Sequence, residues 1–185
     1  MKKKYNKHPL DFIFHPKNIA VVGVSSNEND GGHFKALLNS GFDKKHTIYP
    51  VNPKMTKINN FTCYPSILEC PTDVDYVISR LPAPLVPELV KQCIEKNVKT
   101  LHLFTAGFNE TGDKNREKLG EEVLNMTKKA GIRVIGPNCM GLYVPGEQIS
   151  FTEEAPPEES GDVFVASQSG VLAAEFIFRL ASRGI

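Results

Sequence analysis

The stretch NIAVVGV, residues 18–24, decides the fold that this sequence predicts. It is a short, continuous apolar run rich in valine, which is typical of a strand buried on both faces of a parallel sheet. Four more runs of this kind follow along the chain: HTIYPV (46–51), VDYVISRL (74–81), KTLHLFT (99–105) and IRVIGP (132–137). Segments of helical spacing separate them, so the sequence predicts an α/β fold with a doubly wound, Rossmann-like parallel sheet.

Three segments between these runs predict helices that cover the sheet. In GGHFKALLNSGF, residues Phe34, Leu37 and Leu38 share one helical face. PLVPELVKQCIEKN carries an apolar stripe of helical spacing, formed by Val86, Leu89, Val90, Cys93 and Ile94. We expect a third helix over roughly 113–130, closed by Gly131, because glycine is a common C-terminal signal of helices.

The composition indicates a globular domain in water. The 185 residues are 41% hydrophobic and 23% charged with a net charge of +1, so no basic excess suggests nucleic acid or an anionic membrane as a partner. No segment approaches the ~20 apolar residues that span a bilayer. The four cysteines form no C-x-x-C pair, and the five histidines lack ligand spacing. We therefore expect reduced thiols, a cytoplasmic location and no metal site.

The pattern along the chain predicts four regions. Residues 1–15 form an N-terminal extension and 16–146 the main domain, followed by a Pro-containing acidic linker over 147–161. In 162–185 a strand, a small-residue turn and a helix begin again. This last piece is expected to be the first βα unit of a second, flavodoxin-like domain, truncated here, because one such unit cannot bury both of its faces.

The loop after the first strand, GVSSNENDGG (23–32), suits an anion. Its small residues let backbone N–H groups approach a phosphate, and the next helix adds its positive end. The dinucleotide fingerprint G-x-G-x-x-G is absent, because position 25 is Ser25. An ordinary βα loop with turn residues remains an alternative at this point.

The second strand ends in YPVNPK (49–54), where an NAD-binding protein would place an acid for the ribose hydroxyls. Lys54 stands there instead, and its ammonium suits a phosphate on or near the ribose. NADP carries such a phosphate at the 2′ position and coenzyme A at the 3′ position. A lone Lys after a strand is usually just solvated, so the assignment of a phosphate site to Lys54 needs support from other segments.

Three further segments end strands on the same side: LPAP (81–84), FTAGF (104–108) and GPNCMG (136–141). They offer apolar walls and backbone groups without an evident acid, base or nucleophile, which predicts a binding crevice. Cys139 raises a nucleophile hypothesis, but a lone Cys beside a Gly-Pro turn more often serves packing, and we expect no catalytic residue here.

These motifs, with PKNIAVVGVS, YPSILECPTDVDYVI and VASQSGVLAAEF, resemble the CoA-binding domain of NDP-forming acyl-CoA synthetases. That family includes ADP-forming acetate-CoA ligases and, more distantly, the succinyl-CoA synthetase alpha subunit. The resemblance covers nearly the whole chain from Pro16 onward, with the motifs in the family's order and spacing.

The resemblance implies a coenzyme A site built from all five strand ends. The CoA phosphates would meet Gly23, Ser25, Ser26 and Asn27. The adenosine 3′-phosphate end would meet Val51, Asn52, Pro53 and Lys54, and the nucleotide would be lined by Pro82, Ala83 and Pro84. The residues that would lie along the pantetheine as far as its thiol are Thr105, Ala106, Gly107, Phe108, Asn138 and Cys139.

A second candidate site is SQSG, which comprises Ser167, Gln168, Ser169 and Gly170. It follows a predicted sixth strand and opens a helix, so two hydroxyls and free N–H groups would form a phosphate cradle. G-x-S-x-G, the hydrolase elbow, is not present. The resemblance implies that this turn meets a phosphorylated histidine of a second domain beyond Ile185, since none of the five histidines here matches it.

The resemblance implies that this chain binds CoA or acyl-CoA without catalysing. The full reaction would convert acyl-CoA, ADP or GDP, and phosphate into acid, nucleoside triphosphate and CoA, through acyl phosphate and phosphohistidine. The implied partners are the remaining synthetase domains or an ATP-grasp subunit, and a homo-oligomer is compatible with them. Two alternatives stay open: a stand-alone or acetyltransferase-fused CoA-binding regulatory module, and an NAD(P)-dependent oxidoreductase domain.

Overall fold

The computed structural model describes residues 8–25, 32–156 and 159–185. The strands in these residues are β1 (Asn18–Val22), β2 (Thr47–Val51), β3 (Lys57–Ile58), β4 (Phe61–Thr62), β5 (Tyr76–Ser79), β6 (Thr100–Leu103) and β7 (Arg133–Ile135). The α-helices are α1 (His33–Asn39), α2 (Val86–Glu95), α3 (Lys114–Lys129) and α4 (Gly170–Ala181). All five predicted strands of the main sheet and its three predicted helices are therefore present.

The main sheet has five strands in the order β2-β1-β5-β6-β7, and every pair in it is parallel. The chain moves from β1 outward to β2 and then crosses to the other side of β1 to form β5. The strand order thus reverses between β1 and β5, and open α/β sheets bind ligands outside the carboxyl ends of their strands at such a point. The predicted doubly wound, Rossmann-like fold is confirmed. The short antiparallel pair β3 and β4 was not predicted.

Alternate residues of the strands enter two hydrophobic cores, one on each face of the sheet. Ala20 and Val22 of β1 pack in the core that includes Leu89 and Val90 of α2. Ile19 and Val21, one residue out of phase, pack in the other core with Leu37 of α1. Burial of both faces explains why the strand sequences read as continuous apolar runs.

The predicted sixth strand is wrong for this chain. Residues 162–166 form no strand, and Phe164 is 81% exposed. A strand needs a neighbour for its backbone hydrogen bonds, and the described residues place none beside this segment. The helix expected after it does form as α4.

The segment predicted to be an acidic linker begins packed against the main domain. Ile149 and Phe151 are buried, and Lys35 of α1 forms an ion pair with Glu153 at 3.0 Å. The two apolar side chains explain this packing, because their burial stabilises the segment on α1. Within the described residues, none of the helices is long and apolar enough to span a membrane.

Candidate ligand-binding site

The five parallel strands end at one edge of the sheet, and the predicted site residues lie in the loops that follow them. The loops after β1 and β5 flank the point where the strand order reverses, and those after β2, β6 and β7 extend the crevice to either side. Ser26 and Asn27 lie outside the described residues. The described part of the chain contains no group of three His, Cys, Asp or Glu side chains that could hold a metal ion.

The ends of β1 and β2 are joined tightly. The Gly23 N–H donates to the Val51 carbonyl at 2.9 Å. Gly23 has φ +88°, and a Cβ at this position would lie 3.3 Å from the Arg80 carbonyl carbon. A residue other than glycine would therefore be strained here, which ties this glycine to the close approach of β1 and β5.

Asn52 shapes the turn that follows β2. Its Nδ2 donates to the Val24 carbonyl at 2.7 Å, and its Oδ1 accepts from the Lys54 N–H at 2.8 Å. Both the N–H and the oxygen of the amide are thus bonded to the backbone, which makes Asn52 a positioning residue for the turn. The Lys54 side chain is exposed, and among the described residues it forms no ion pair. Its ammonium group is therefore accessible from solvent.

Arg80 is not among the predicted site residues, yet it follows β5 at the reversal point. Its N–H donates to the Val22 carbonyl at 2.9 Å, and its guanidinium carbon lies 5.9 Å from the centroid of the Phe104 ring. The guanidinium also occupies the space beside Gly32, where a Cβ would overlap its Nη1 and lie 2.9 Å from its central carbon. A permanent positive charge therefore stands next to the first loop of the crevice. The sequence could have indicated Arg80 by the same signal that indicates Lys54, which is a cationic residue directly after a buried strand.

Thr105 ties together the ends of three strands. Its hydroxyl donates to the Leu81 carbonyl at 2.7 Å, and its own carbonyl accepts from the Asn138 N–H at 3.0 Å. Thr105 is 6% exposed, so the hydroxyl proton is committed inside the protein. The structure thus places Thr105 as a support for the loops after β5 and β7.

The loop after β6 holds a carboxylate of its own. The N–H groups of Gly107 and Phe108 both donate to the Glu110 carboxylate, the second at 3.2 Å. Desolvation raises the pKa of this exposed carboxyl group, but the backbone donors outweigh it and lower the pKa of Glu110. Two predicted contact residues have buried side chains, Phe108 at 1% and Ala83 at 2% exposure, so they face the core. Pro82, Pro84, Ala106 and Asn138 are exposed at the edge.

The turn SQSG lies against the loop that carries Cys139. A Cβ on Gly170 would overlap the side chain of Met140, whose sulfur would lie 3.3 Å from it, so these two segments are in direct contact. Ser169 caps α4 by accepting from the Leu172 N–H at 3.3 Å, and Ser167 accepts from the Ser169 N–H at 3.1 Å. The structure therefore brings the predicted thiol end and the predicted phosphate turn together, although they are distant in sequence.

Comparison with known proteins agrees with this geometry. The sequence profile of a family described as "CoA binding domain" matches residues 17–145. An ADP-forming acetate-CoA ligase II of Archaeoglobus fulgidus is 38% identical over 171 residues, which cover 90% of this chain and 25% of that protein. The alpha subunit of an ADP-forming acetate-CoA ligase II of Pyrococcus furiosus is 33% identical over 178 residues, covering 95% of this chain and 38% of that subunit.

Solved structures give the same answer for the fold. A protein of Pyrococcus horikoshii superposes with a TM-score of 0.84 at 33% identity, covering 95% of this chain and 40% of that one. A dinucleotide-forming acetyl-coenzyme A synthetase of Candidatus Korarchaeum cryptofilum, in complex with phosphate and ADP, superposes with a TM-score of 0.78 at 31% identity, covering 95% and 37%. The present chain spans about a quarter to two-fifths of the length of these relatives.

The parallel sheet with its ligand loops at the carboxyl edge defines a nucleotide-binding α/β domain. Because the family profile covers more than half of the chain, the chain belongs to the family of CoA-binding domains. It is homologous to the CoA-binding part of ADP-forming acetate-CoA ligases, and coenzyme A is the cofactor that this membership assigns to it.

Proposed function

We propose that this chain is the CoA-binding part of an NDP-forming acyl-CoA synthetase, an acid-thiol ligase that interconverts acyl-CoA, nucleoside diphosphate and phosphate with acid, nucleoside triphosphate and CoA. The observation that carries the proposal is the convergence of five strand-end loops at the reversal point, inside the region matched by the family. In this proposal the chain binds CoA or acyl-CoA, and the phosphohistidine chemistry belongs to other domains or to an ATP-grasp subunit.

The proposal gives each end of the crevice a part of the ligand. Lys54 meets the 3′-phosphate, with Asn52 holding the turn beneath it. The guanidinium of Arg80 stands beside the loop after β1 and suits the diphosphate, since Arg binds phosphate oxygens through paired donors. The pantetheine then runs past the loop after β6, and its thiol lies near Cys139. The contact between Met140 and Gly170 supports a transfer of the acyl group close to the SQSG turn.

The exposed apolar surface of 162–185 supports the proposal that more of the synthetase packs here. Phe164 is 81% and Val171 is 82% exposed, and Leu172 is 55% exposed. Such a patch suits burial against a further domain, because burying apolar surface is favourable. We further place the protein in the cytoplasm, in keeping with the free thiols of Cys63, Cys70 and Cys93, which are buried.

Isothermal titration calorimetry of the folded chain with CoA and dephospho-CoA tests the proposal. CoA is expected to bind, and dephospho-CoA to bind roughly fivefold more weakly, since a contact between phosphate and an exposed cation is worth about 1 kcal/mol. Lys54→Ala should abolish this difference, whereas Lys57→Ala, an exposed lysine on β3, should keep it. A folded chain that shows no heat of binding with CoA would refute the proposed function. Saturable binding of NADPH without CoA binding would replace it by the oxidoreductase alternative.

A further inference from the structure

Two buried histidines lie beneath the loop that carries Asn138 and Cys139. His33 is the first residue of α1, and His102 lies in β6. They are 4% and 1% exposed, and their rings meet edge to face with centroids 5.1 Å apart. Burying two imidazoles is costly unless their nitrogens find partners, so their hydrogen bonds indicate what they do.

Both rings donate to the same loop. The Nε2 of His102 donates to the Cys139 carbonyl at 2.9 Å, and the Nε2 of His33 donates to the Met140 carbonyl at 2.8 Å. A peptide carbonyl can only accept, so each Nε2 carries the proton. Two consecutive carbonyls are thus held by side chains from a helix and a strand on the domain's main body.

The loop fits closely over the two rings. Gly141 has φ +120°, and a Cβ there would lie 2.7 Å from Cε1 of His102, so the backbone passes directly over the imidazole. On the other side, the Met140 side chain rests on Gly170 of the SQSG turn. A change in either ring would therefore move the loop, and with it the surface on which that turn rests.

The surroundings keep both rings neutral. Burial lowers the pKa of His33, which Arg80 lowers further, and burial with the neighbouring His33 lowers the pKa of His102 to about 3. From β5, Tyr76 faces His102 at 6.2 Å between ring centroids, and burial raises the pKa of its phenol. The Phe104 ring meets His33 edge to face at 5.0 Å. At neutral pH the pair therefore acts through N–H donation and not as an acid or a base.

We propose that His33 and His102 are positioning residues for the pantetheine and thiol end of the CoA site, because they fix the carbonyls of Cys139 and Met140. This inference rests on the proposed function, which places the thiol at that loop. It separates the two ends of the ligand: the histidines govern the thiol end, while the 3′-phosphate end depends on Lys54 and Asn52.

The first experiment compares CoA with adenosine 3′,5′-bisphosphate, which carries the nucleotide end alone. His102→Leu removes the donor, and His102→Gln keeps an N–H group at a similar reach. By calorimetry at neutral pH, His102→Leu should weaken CoA binding about tenfold and change bisphosphate binding by less than about twofold. His102→Gln should restore most of the CoA affinity. The control is His46→Gln, whose ring packs on Phe42 away from the crevice, and it should bind both ligands as the unmodified chain does.

Two results would overturn the inference: unchanged CoA affinity in a folded His102→Leu protein, or an equal loss for both ligands. A chain that binds neither ligand without any substitution would instead remove the proposed function, and this inference with it.

A second measurement on the unmodified chain covers the case in which His102→Leu does not fold. Nitrogen-15 NMR of the imidazoles should show the Nε2–H tautomer for both rings. CoA should shift both Nε2 resonances, whereas adenosine 3′,5′-bisphosphate should leave them in place. A Nδ1–H tautomer, or resonances that CoA does not move, would overturn the inference.

Discussion

The side-chain amide of Asn52 donates to the carbonyl oxygen of Val24 at 2.7 Å and thereby joins the ends of two neighbouring strands. The same amide accepts from the backbone of Lys54, so one side chain links the ends of β1 and β2 and holds the turn that follows Val51. The position of Lys54 at the edge of the crevice follows from this arrangement.

Replacing Asn52 should therefore affect both stability and binding. Asn52→Ala removes two hydrogen bonds and should lower the free energy of unfolding by about 1–2 kcal/mol in urea denaturation. Asn52→Asp keeps the acceptor but places a carboxylate near the Val24 carbonyl and beside the 3′-phosphate, so it should weaken CoA binding more than Asn52→Ala. The exposed Asn60→Ala serves as control. Equal CoA affinities for the alanine and aspartate variants would contradict the placement of the phosphate.

The guanidinium of Arg80 should contribute charge to CoA binding. Arg80→Ala is expected to weaken CoA binding about tenfold at low ionic strength, with a smaller effect in high salt, and Arg80→Lys should recover part of the loss. Because Arg80 lowers the pKa of His33, its removal should also raise that pKa in an NMR titration. Arg133→Ala, an exposed arginine at the start of β7, is the matched control. Arg80→Ala with normal affinity at low salt would exclude the role.

Any side chain at position 23 should destabilise the folded chain. Gly23→Ala combines a left-handed φ of +88° with a contact of 3.3 Å to the Arg80 backbone, and we expect a loss of about 1–3 kcal/mol in the free energy of unfolding. Gly112 has φ +69° but open space around it, so Gly112→Ala should lose only about 1 kcal/mol. The difference between the two variants, measured by urea denaturation, isolates the steric contact. Identical losses would show that the conformation alone matters.

The Glu110 carboxylate should make stability depend on pH. Its pKa is lowered in the folded chain, so its contribution is complete above the pKa of the unfolded state, about 4.3, and is lost as the pH falls through the lower folded value. The free energy of unfolding of the unmodified chain should therefore drop more steeply below about pH 4 than that of Glu110→Gln. Glu95→Gln, on an exposed part of α2, should follow the unmodified curve. Parallel curves for all three proteins would argue against the bonds from Gly107 and Phe108.

Much of the fold was predictable because it follows from local patterns. The apolar runs located each strand of the main sheet, but four of the five end two residues earlier than predicted, at Val22, Ser79, Leu103 and Ile135. Apolar residues continue past each end, at Val24, Leu81, Phe104 and Pro137, although the strand pairing stops before them. Beyond these ends the loops are joined by other hydrogen bonds, such as the one from the Thr105 hydroxyl to the Leu81 carbonyl.

Tertiary contacts explain what the sequence could not predict. His33 and His102 meet only when α1 packs on the sheet beside β6, so no spacing in the sequence pairs them. The resemblance to a family names positions without saying which atoms face the ligand, and Phe108 proves to be a core residue. Residues 162–166 have the composition of a strand, yet a strand forms only where another backbone completes its hydrogen bonds.

Gly170 controls how closely the loop that carries Cys139 and Met140 approaches the SQSG turn. Met140 occupies the volume that a Cβ at position 170 would take. Glycine at this position therefore allows the loop that carries Cys139 to pack directly against the SQSG turn. A side chain at position 170 would therefore have to displace Met140 or widen the gap between the two segments. If the proposed function holds, any side chain at position 170 should lengthen the distance that an acyl group crosses between these two loops.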